Sequence, residues 1–434
     1  MYSSKVLNSD KYRNIFVKAL ALSESYDICS FLHSNNITSD KYSKYDWLLA
    51  LGNVRNINSN GLNNNKYLNK INNFILETNK DWIFTTIAYD FKNGIEDLTS
   101  KNTDNLNFED FTFYIPKFVI TSKDSKIELF SHEFISKNDV LELELKLQST
   151  DINTINNHNI KKFKHRVSEK EYIETIENIR SDIKYGDIYE INYCQEFYVE
   201  NAQIEKPWQI YLKMCDKSPA PFSAYYKYND KHLISASPER YIQKNDNTII
   251  SQPIKGTSKR RNNTIEDKEA ITALQNSVKE RAENIMIVDL VRNDLSRIPN
   301  SKNTKVEELC GIYSFKHVHQ MISTISADLD DNTSFTDILK ATFPMGSMTG
   351  APKVSSMNLI EKYEKTKRGL FSGSVGYINP DGDFDFNVII RSLLYNSKNN
   401  YLSLSTGGAI TYLCNAEDEY QESLLKAEAV FRLF

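Results

Sequence analysis

The chain has 434 residues, of which 40% are hydrophobic and 25% charged, with a net charge of −4. That length can bury a large core in one or more domains, and the weak charge gives no electrostatic reason to expect nucleic acid or an anionic membrane as partner. No apolar run approaches membrane-spanning length, the start of the chain leads into no signal-like segment, and five cysteines without CxxC spacing suit a reducing compartment, so a cytoplasmic protein is expected.

The first 155 or so residues are rich in Asn, Lys and Tyr, and residues 56–73 approach low complexity, which reads as a solvated loop. Aromatic and β-branched runs bounded by turn residues predict strands at 82–89, 111–115 and 118–120. Leu141-Glu142-Leu143-Glu144-Leu145 alternates as a half-buried strand would. The polar residues 151–159 are the candidate junction between a first lobe, 1–155, and a second, 160–434. The first lobe carries no constellation of catalytic residue types.

Ser168 and Glu171 make a capping box that opens a helix, in which Ile173, Ile176, Ile179 and Ile183 recur at helical spacing until Gly186. Strands are predicted over 188–199, 223–227 and 233–236, and Ser237-Pro238-Glu239-Arg240 reads as a turn. Next, Thr248-Ile249-Ile250 leads to Pro253-Ile254-Lys255-Gly256-Thr257. Pro253 fixes its own backbone, and Gly256 permits close approach. Lys255 has two readings: a solvated edge-strand charge that discourages aggregation, or an amine whose desolvation lowers its pKa toward the nucleophilic range. Hairpin pairing would bring Glu239 near it, unless Glu239 is a surface partner of Arg240 or another base.

One long helix is predicted over 264–298, with Ile271, Leu274, Val278, Ala282 and Ile285 as its buried stripe and Asp289 and Arg292 as a buried ion pair on it. Glu280 and Glu283 share a different face. Glu419 and Glu422 repeat that spacing on a final helix from Asn415 or Ala416, with Lys426 one turn on. The pairs are either ordinary wet faces or, together, oxygen ligands for octahedral Mg²⁺. Residues 343–353 enter a helix whose N–H groups can receive an anion, without the GxxxxGK[ST] of a Walker loop. A strand over 387–395 would turn Arg391 the same way as Ile389 and Leu393, where it needs a carboxylate from the protein or a ligand. Gly407 and Gly408 end a strand and permit close backbone approach to a ligand.

These stretches together resemble a known family. Gly186-Asp187-Ile188-Tyr189, Ser237-Pro238-Glu239-Arg240, Pro253 to Thr257, Arg281 to Leu290 and Arg292-Asn293-Asp294-Leu295 carry the first part of the likeness. Gly350-Ala351-Pro352-Lys353, Gly373-Ser374-Val375-Gly376-Tyr377, Ile390-Arg391-Ser392-Leu393 and Glu422 to Lys426 complete it. From about Ser168 onward the chain resembles the chorismate-utilising enzymes, which include anthranilate, isochorismate, salicylate and aminodeoxychorismate synthases. The first lobe matches more loosely, through Asp46-Trp47-Leu48-Leu49 and the strands after it.

The resemblance implies an α+β fold of packed antiparallel sheets with outer helices, its two lobes closely associated, and chorismate as substrate. A lysine at the Lys255 position is typical of aminodeoxychorismate synthase component I, whereas anthranilate synthases usually carry alanine there. By the resemblance, Lys255 attacks carbon 2 of chorismate and expels the carbon 4 hydroxyl, and ammonia then adds at carbon 4 and releases the lysine. Glu239 is the implied acid/base, and Glu283 and Glu422, with Glu280 and Glu419, the implied Mg²⁺ ligands. Gly256, Thr257, Gln320, Thr349, Tyr377, Arg391, Lys426 and the N–H groups around Gly407 and Gly408 are the implied substrate contacts.

Many members have a histidine where this chain has Gln320, three residues before Ser323. Glutamine cannot donate a proton as an acid, so either Glu239 carries the transfers or the adjacent His319 substitutes. No cysteine stands in a nucleophile elbow with His and Glu partners, so Cys194, Cys215, Cys310 and Cys414 read as buried thiols and the resemblance implies a separate glutamine amidotransferase that delivers ammonia. Anthranilate synthase component I and a non-catalytic chorismate-binding regulatory homologue are the competing readings. A dinucleotide or ATP enzyme is disfavoured by the missing glycine-rich fingerprints.

Overall fold

Two antiparallel sheets carry the molecule, and each takes strands from both ends of the chain. This is a computed structural model that describes residues 1–8, 14–78, 80–150, 152 and 158–434; most of the candidate junction at 151–159 lies outside the described residues. The larger sheet has 12 strands. Its centre runs from Trp47–Leu51 and Ile28–His33 through Phe222–Tyr228 and Lys231–Ser237 to Ser392–Asn396, Tyr401–Ile410 and Glu190–Glu200. The second has 10 strands and begins at Ile254–Lys259, followed by Val318–Asp328, Thr248–Gln252, Arg240–Asn245, Phe384–Asn387, Ser374–Ile378 and Ile83–Ile87.

The main core lies where the inner faces meet. Leu48, Ala224, Tyr226 and Leu233 from one sheet join Phe84, Phe113, Ile249 and Phe384 from the other. A second cluster packs Leu143 and Leu147, Trp208 and Tyr211, and Ala427 and Val430 from three helices against the larger sheet. Strands buried on two sides need apolar residues at consecutive positions, which is why Trp47–Leu51 is buried throughout. Among the described residues no helix is long and apolar enough to cross a membrane.

Several local expectations hold. Helix Glu169–Tyr185 opens with the Ser168/Glu171 capping box and ends at Gly186, whose φ of 93° is the left-handed cap that glycine adopts without strain. Helix Ala416–Phe431 starts behind the Asn415 cap.

Others are corrected. Leu141 to Leu145 belong to helix Lys137–Ser149, opened by a Ser136/Asp139 capping box; only Leu143 of the three leucines there is buried. The Asn-rich stretch contains strand Arg55–Asn58 and enters helix Tyr67–Glu77, which buries Tyr67, Ile71 and Phe74. The long helix is two, Thr264–Asn276 and Val278–Ser296, broken at Ser277, whose side chain caps the second by accepting from the Glu280 N–H. Val278 is therefore 84% exposed instead of buried. Asp289 and Arg292 form an exposed pair, 71% and 55% accessible, because the second helix buries the Ile287, Val288, Val291 and Leu295 face.

Candidate active site

Several connections carry the chain between the two sheets, and two of them lie side by side. Residues 237–240 lead from Lys231–Ser237 in the larger sheet to Arg240–Asn245 in the smaller, and residues 388–391 lead back from Phe384–Asn387 to Ser392–Asn396. The strand expected over 387–395 is thus interrupted, and Arg391 sits at the break with a φ of 51°. Backbone bonds join the crossings: the Val388 N–H donates to Glu239 O at 3.0 Å and the Ala236 N–H to Arg391 O at 3.2 Å. Arg240 anchors this corner, fully buried, with Asp40 at 2.7 Å and Asp385 at 2.9 Å. Arg240 therefore does not serve as a surface partner for Glu239, which is itself 4% exposed.

Burial pushes the Glu239 carboxyl up to about 7, partly offset by the Ser347 hydroxyl, Lys255 and Arg391 that face it. Arg391 makes no ion pair among the described residues; burial draws its pKa down and Glu239 restores only part of it. A desolvated guanidinium without a carboxylate is suited to an anion from outside the chain.

Lys255 comes from the other side. Its strand, Ile254–Lys259, pairs with Val318–Asp328, and its amine reaches across to the larger sheet to donate to Glu190 Oε1 at 2.9 Å. The side chains are 10% and 1% exposed, so this is not a solvated edge charge. The expected depression of the amine's pKa does not occur. Burial acts to lower it, but Glu190, then Glu283 and Glu239, outweigh burial and raise it. The resting amine is an ammonium, and Glu190 holds it so. Glu190 Oε2 is buried without a partner. Sequence reading did not single out Glu190, although a carboxylate between Tyr189 and Ile191 at the start of a predicted strand is a signal that could have been followed. Glu190→Gln should lower the pKa of Lys255, because burial then acts against fewer negative neighbours. The expected result is a labelling profile, read by mass with a small acylating reagent, whose midpoint moves to lower pH.

The four glutamates do meet. Glu280 and Glu283 lie in the first two turns of Val278–Ser296, Glu419 and Glu422 in the first two of Ala416–Phe431, and the Lys279 amine lies 3.9 Å from both Glu283 and Glu419. Burial pushes Glu280 and Glu419 up, and Glu283 to about 7; Glu422 adds repulsion to Glu280 and Glu419. In Glu422 burial is outweighed by Lys426, 2.8 Å away, and its pKa is lowered. Two glycines make room for the carboxylates: a Cβ on Gly408 would meet Glu419 at 2.7 Å and one on Gly256 would meet Glu280 at 3.0 Å. Among the described residues no three potential ligands already converge as a finished metal cage. Four carboxylates against the two amines of Lys279 and Lys426 leave an excess of negative charge on oxygen donors, which fits a hard divalent cation.

The remaining expected contacts divide. The Lys426 amine donates to Gly407 O at 2.8 Å, beside the glycines of strand Tyr401–Ile410. Thr257 is exposed and pairs in register with Gln320, which is buried with its Oε1 unpartnered. Thr349 is fully buried with its hydroxyl bonded to Met345 O and Gly346 O. Tyr377 is not brought to the site. Its ring packs among Tyr45, Trp82 and Phe84 and lines a separate small cavity bounded by neither Lys255, Glu239 nor Arg391. His319 is also committed elsewhere, between Asp267 at 2.9 Å and Ser314 at 2.8 Å, on the strand face opposite Gln320. Of the two options left by Gln320, only Glu239 remains in place.

Comparison with known proteins gives the family and the fold. The chain belongs to the chorismate binding enzyme family, whose sequence profile matches residues 32–432. It is 39% identical over 260 residues to aminodeoxychorismate synthase component 1 of Salmonella typhimurium, covering 60% of this chain and 56% of that one. It is 37% identical over 266 residues to the Escherichia coli protein of the same name, covering 61% and 58%. The chain is thus matched over little more than half the length of these relatives. Among solved structures it resembles anthranilate synthase component I from Streptococcus pneumoniae, with a TM-score of 0.77 and 25% identity over 88% of this chain and 91% of that one. The α+β fold of packed antiparallel sheets is shared with that structure.

Proposed function

We propose that this chain aminates chorismate at carbon 4, as the chorismate-binding component of an aminodeoxychorismate synthase. The observation that carries the reading is the buried Lys255 amine, 2.9 Å from Glu190 and facing Glu239, in a chain similar to components of that name. A nucleophilic amine needs a base in hydrogen-bond contact and an acid for the leaving group, and Glu190 and Glu239 fill those places.

The steps balance. Glu190 takes a proton from the Lys255 ammonium, and the free amine bonds to carbon 2 of chorismate as the ring double bonds shift. The carbon 4–oxygen bond breaks, and the hydroxyl leaves as water with the proton of Glu239. Glu239, now a carboxylate, takes a proton from the incoming nitrogen, which bonds to carbon 4. The bond between carbon 2 and Lys255 breaks, and Glu190 returns its proton to the released amine. Arg391 binds a substrate carboxylate. Glu280, Glu283, Glu419 and Glu422 would hold Mg²⁺, which supplies charge to orient a carboxylate and offset its repulsion with the glutamates.

All five cysteines are buried and free, which leaves no accessible thiol for glutamine hydrolysis and favours delivery of ammonia by an amidotransferase partner. The purified chain with chorismate, Mg²⁺ and ammonium salts is expected to yield 4-amino-4-deoxychorismate by mass, and to yield none when glutamine replaces ammonium. Anthranilate as the product, or glutamine-dependent turnover by the chain alone, would overturn the reading.

A further inference from the structure

Behind Glu239 lies a cavity of about 20 Å³, bounded by Glu239 and Ser347, by Asp294 of helix Val278–Ser296, and by the apolar side chains of Val291, Leu295 and Met345. It has room for one molecule the size of water. Two of its polar groups are unsatisfied. Asp294 is 3% exposed; its Oδ2 accepts from the Lys353 amine at 2.6 Å, but its Oδ1 is buried without a partner. Ser347 is 5% exposed, and its hydroxyl turns toward the Glu239 carboxyl without closing a hydrogen bond of normal geometry. Buried polar atoms without partners are uncommon, and two of them on one void call for a small polar guest.

The chemistry of the walls selects that guest. Asp294 Oδ1 is an acceptor only, Ser347 Oγ can accept, and the Glu239 carboxyl closes the third side. Lys353 offsets Asp294, and Arg240, the cation among the lining residues, is already held by Asp40 and Asp385, so an ionised Glu239 meets positive charge only from outside the void, at Lys255 and Arg391. Water brings two protons and no charge. A hydrated divalent metal is too large for the space and needs more ligands than three. Ammonium brings four donors and one positive charge in a volume close to that of water.

We propose that this cavity seats ammonium, the nitrogen donor, between Asp294 and Glu239. The inference rests on the amination reading above and adds where the nitrogen waits. Once Glu239 has given its proton to the departing hydroxyl, it takes one from the ammonium. The ammonia so freed bonds to carbon 4, and the product leaves with a protonated amine; no further proton donor or acceptor is required.

Thallium(I), a heavy cation of ammonium's size, is the probe. Crystals of the full chain soaked in a thallium salt are expected to show an anomalous peak within bonding distance of Asp294 Oδ1 and Ser347 Oγ that added ammonium displaces. Ser347→Ala, which removes one acceptor and leaves the void, should raise KM for ammonium by roughly tenfold or more while KM for chorismate stays put. A cavity that holds only water in the presence of thallium overturns the site, and an ammonium KM unmoved by the substitution overturns its role. Thallium occupancy is read without turnover, so a chain that binds it yet makes no 4-amino product counts against the amination reading and not against the cation seat.

Discussion

Lys255→Ala is expected to abolish the formation of 4-amino-4-deoxychorismate, with turnover reduced on the order of 10³-fold or more, and to eliminate any covalent adduct seen by intact mass. The structure adds a complication to that experiment. Glu190 is 1% exposed and has the Lys255 amine as its side-chain hydrogen-bond partner, so alanine leaves a buried carboxylate without its cation. Breaking a buried pair from one side costs about 3–5 kcal/mol, and a loss of activity alone would not separate chemistry from folding. Lys255→Arg separates them. Arginine keeps a cation for Glu190 but stays protonated and cannot act as the nucleophile. Both variants are expected to be inactive, whereas thermal unfolding should fall clearly in the alanine variant and less in the arginine one. A normal yield of the 4-amino product from either would sink the covalent mechanism.

What could be read along the chain was what local chemistry decides. The Ser168 capping box, the Gly186 stop and the start of the final helix at Ala416 each depend on residues within one helical turn, and all stand where they were expected. The misreadings arose where a local pattern competed with another. Leu141 to Leu145 alternates with period two, but the Ser136/Asp139 capping box and a helix of 13 residues override it, leaving Leu141 and Leu145 exposed. In the Asn-rich segment, composition concealed the helical spacing of Tyr67, Ile71 and Phe74. The site itself was legible in its types of residue and not in their relations. Lys255, Glu239, Arg391 and the glutamate pairs lie in recognisable stretches, but no local signal states that Arg391 sits in a left-handed break between two sheets. Nor does any local signal pair Lys255 with a carboxylate 65 residues away, the contact that reverses the expected direction of its pKa.

Glu239→Gln is the second large effect expected. Glutamine keeps the shape and hydrogen-bonding capacity of the side chain but cannot give a proton to the departing hydroxyl, and the loss of a positioned general acid costs about 10²–10⁴ in rate. The pH dependence identifies the cause. Burial holds the Glu239 carboxyl up to about 7, so its acid form prevails below that pH and disappears above it. Adduct formation in a single turnover by the parent chain should therefore fall as pH rises through about 7, while the glutamine variant should be slow and lack that limb. Stability carries the same signature. Between the ordinary carboxyl value of 4.5 and about 7 the folded chain binds a proton at Glu239 that the unfolded chain has released. Its contribution is thus present below the lower value and is lost as pH rises through the upper one. Glu239→Gln removes that term, and its Tm should decline less between pH 5 and 8 than that of the parent. If both chains lose the same Tm and keep the same kinetic limb near pH 7, the proton resides on another group and Glu239 is not the acid.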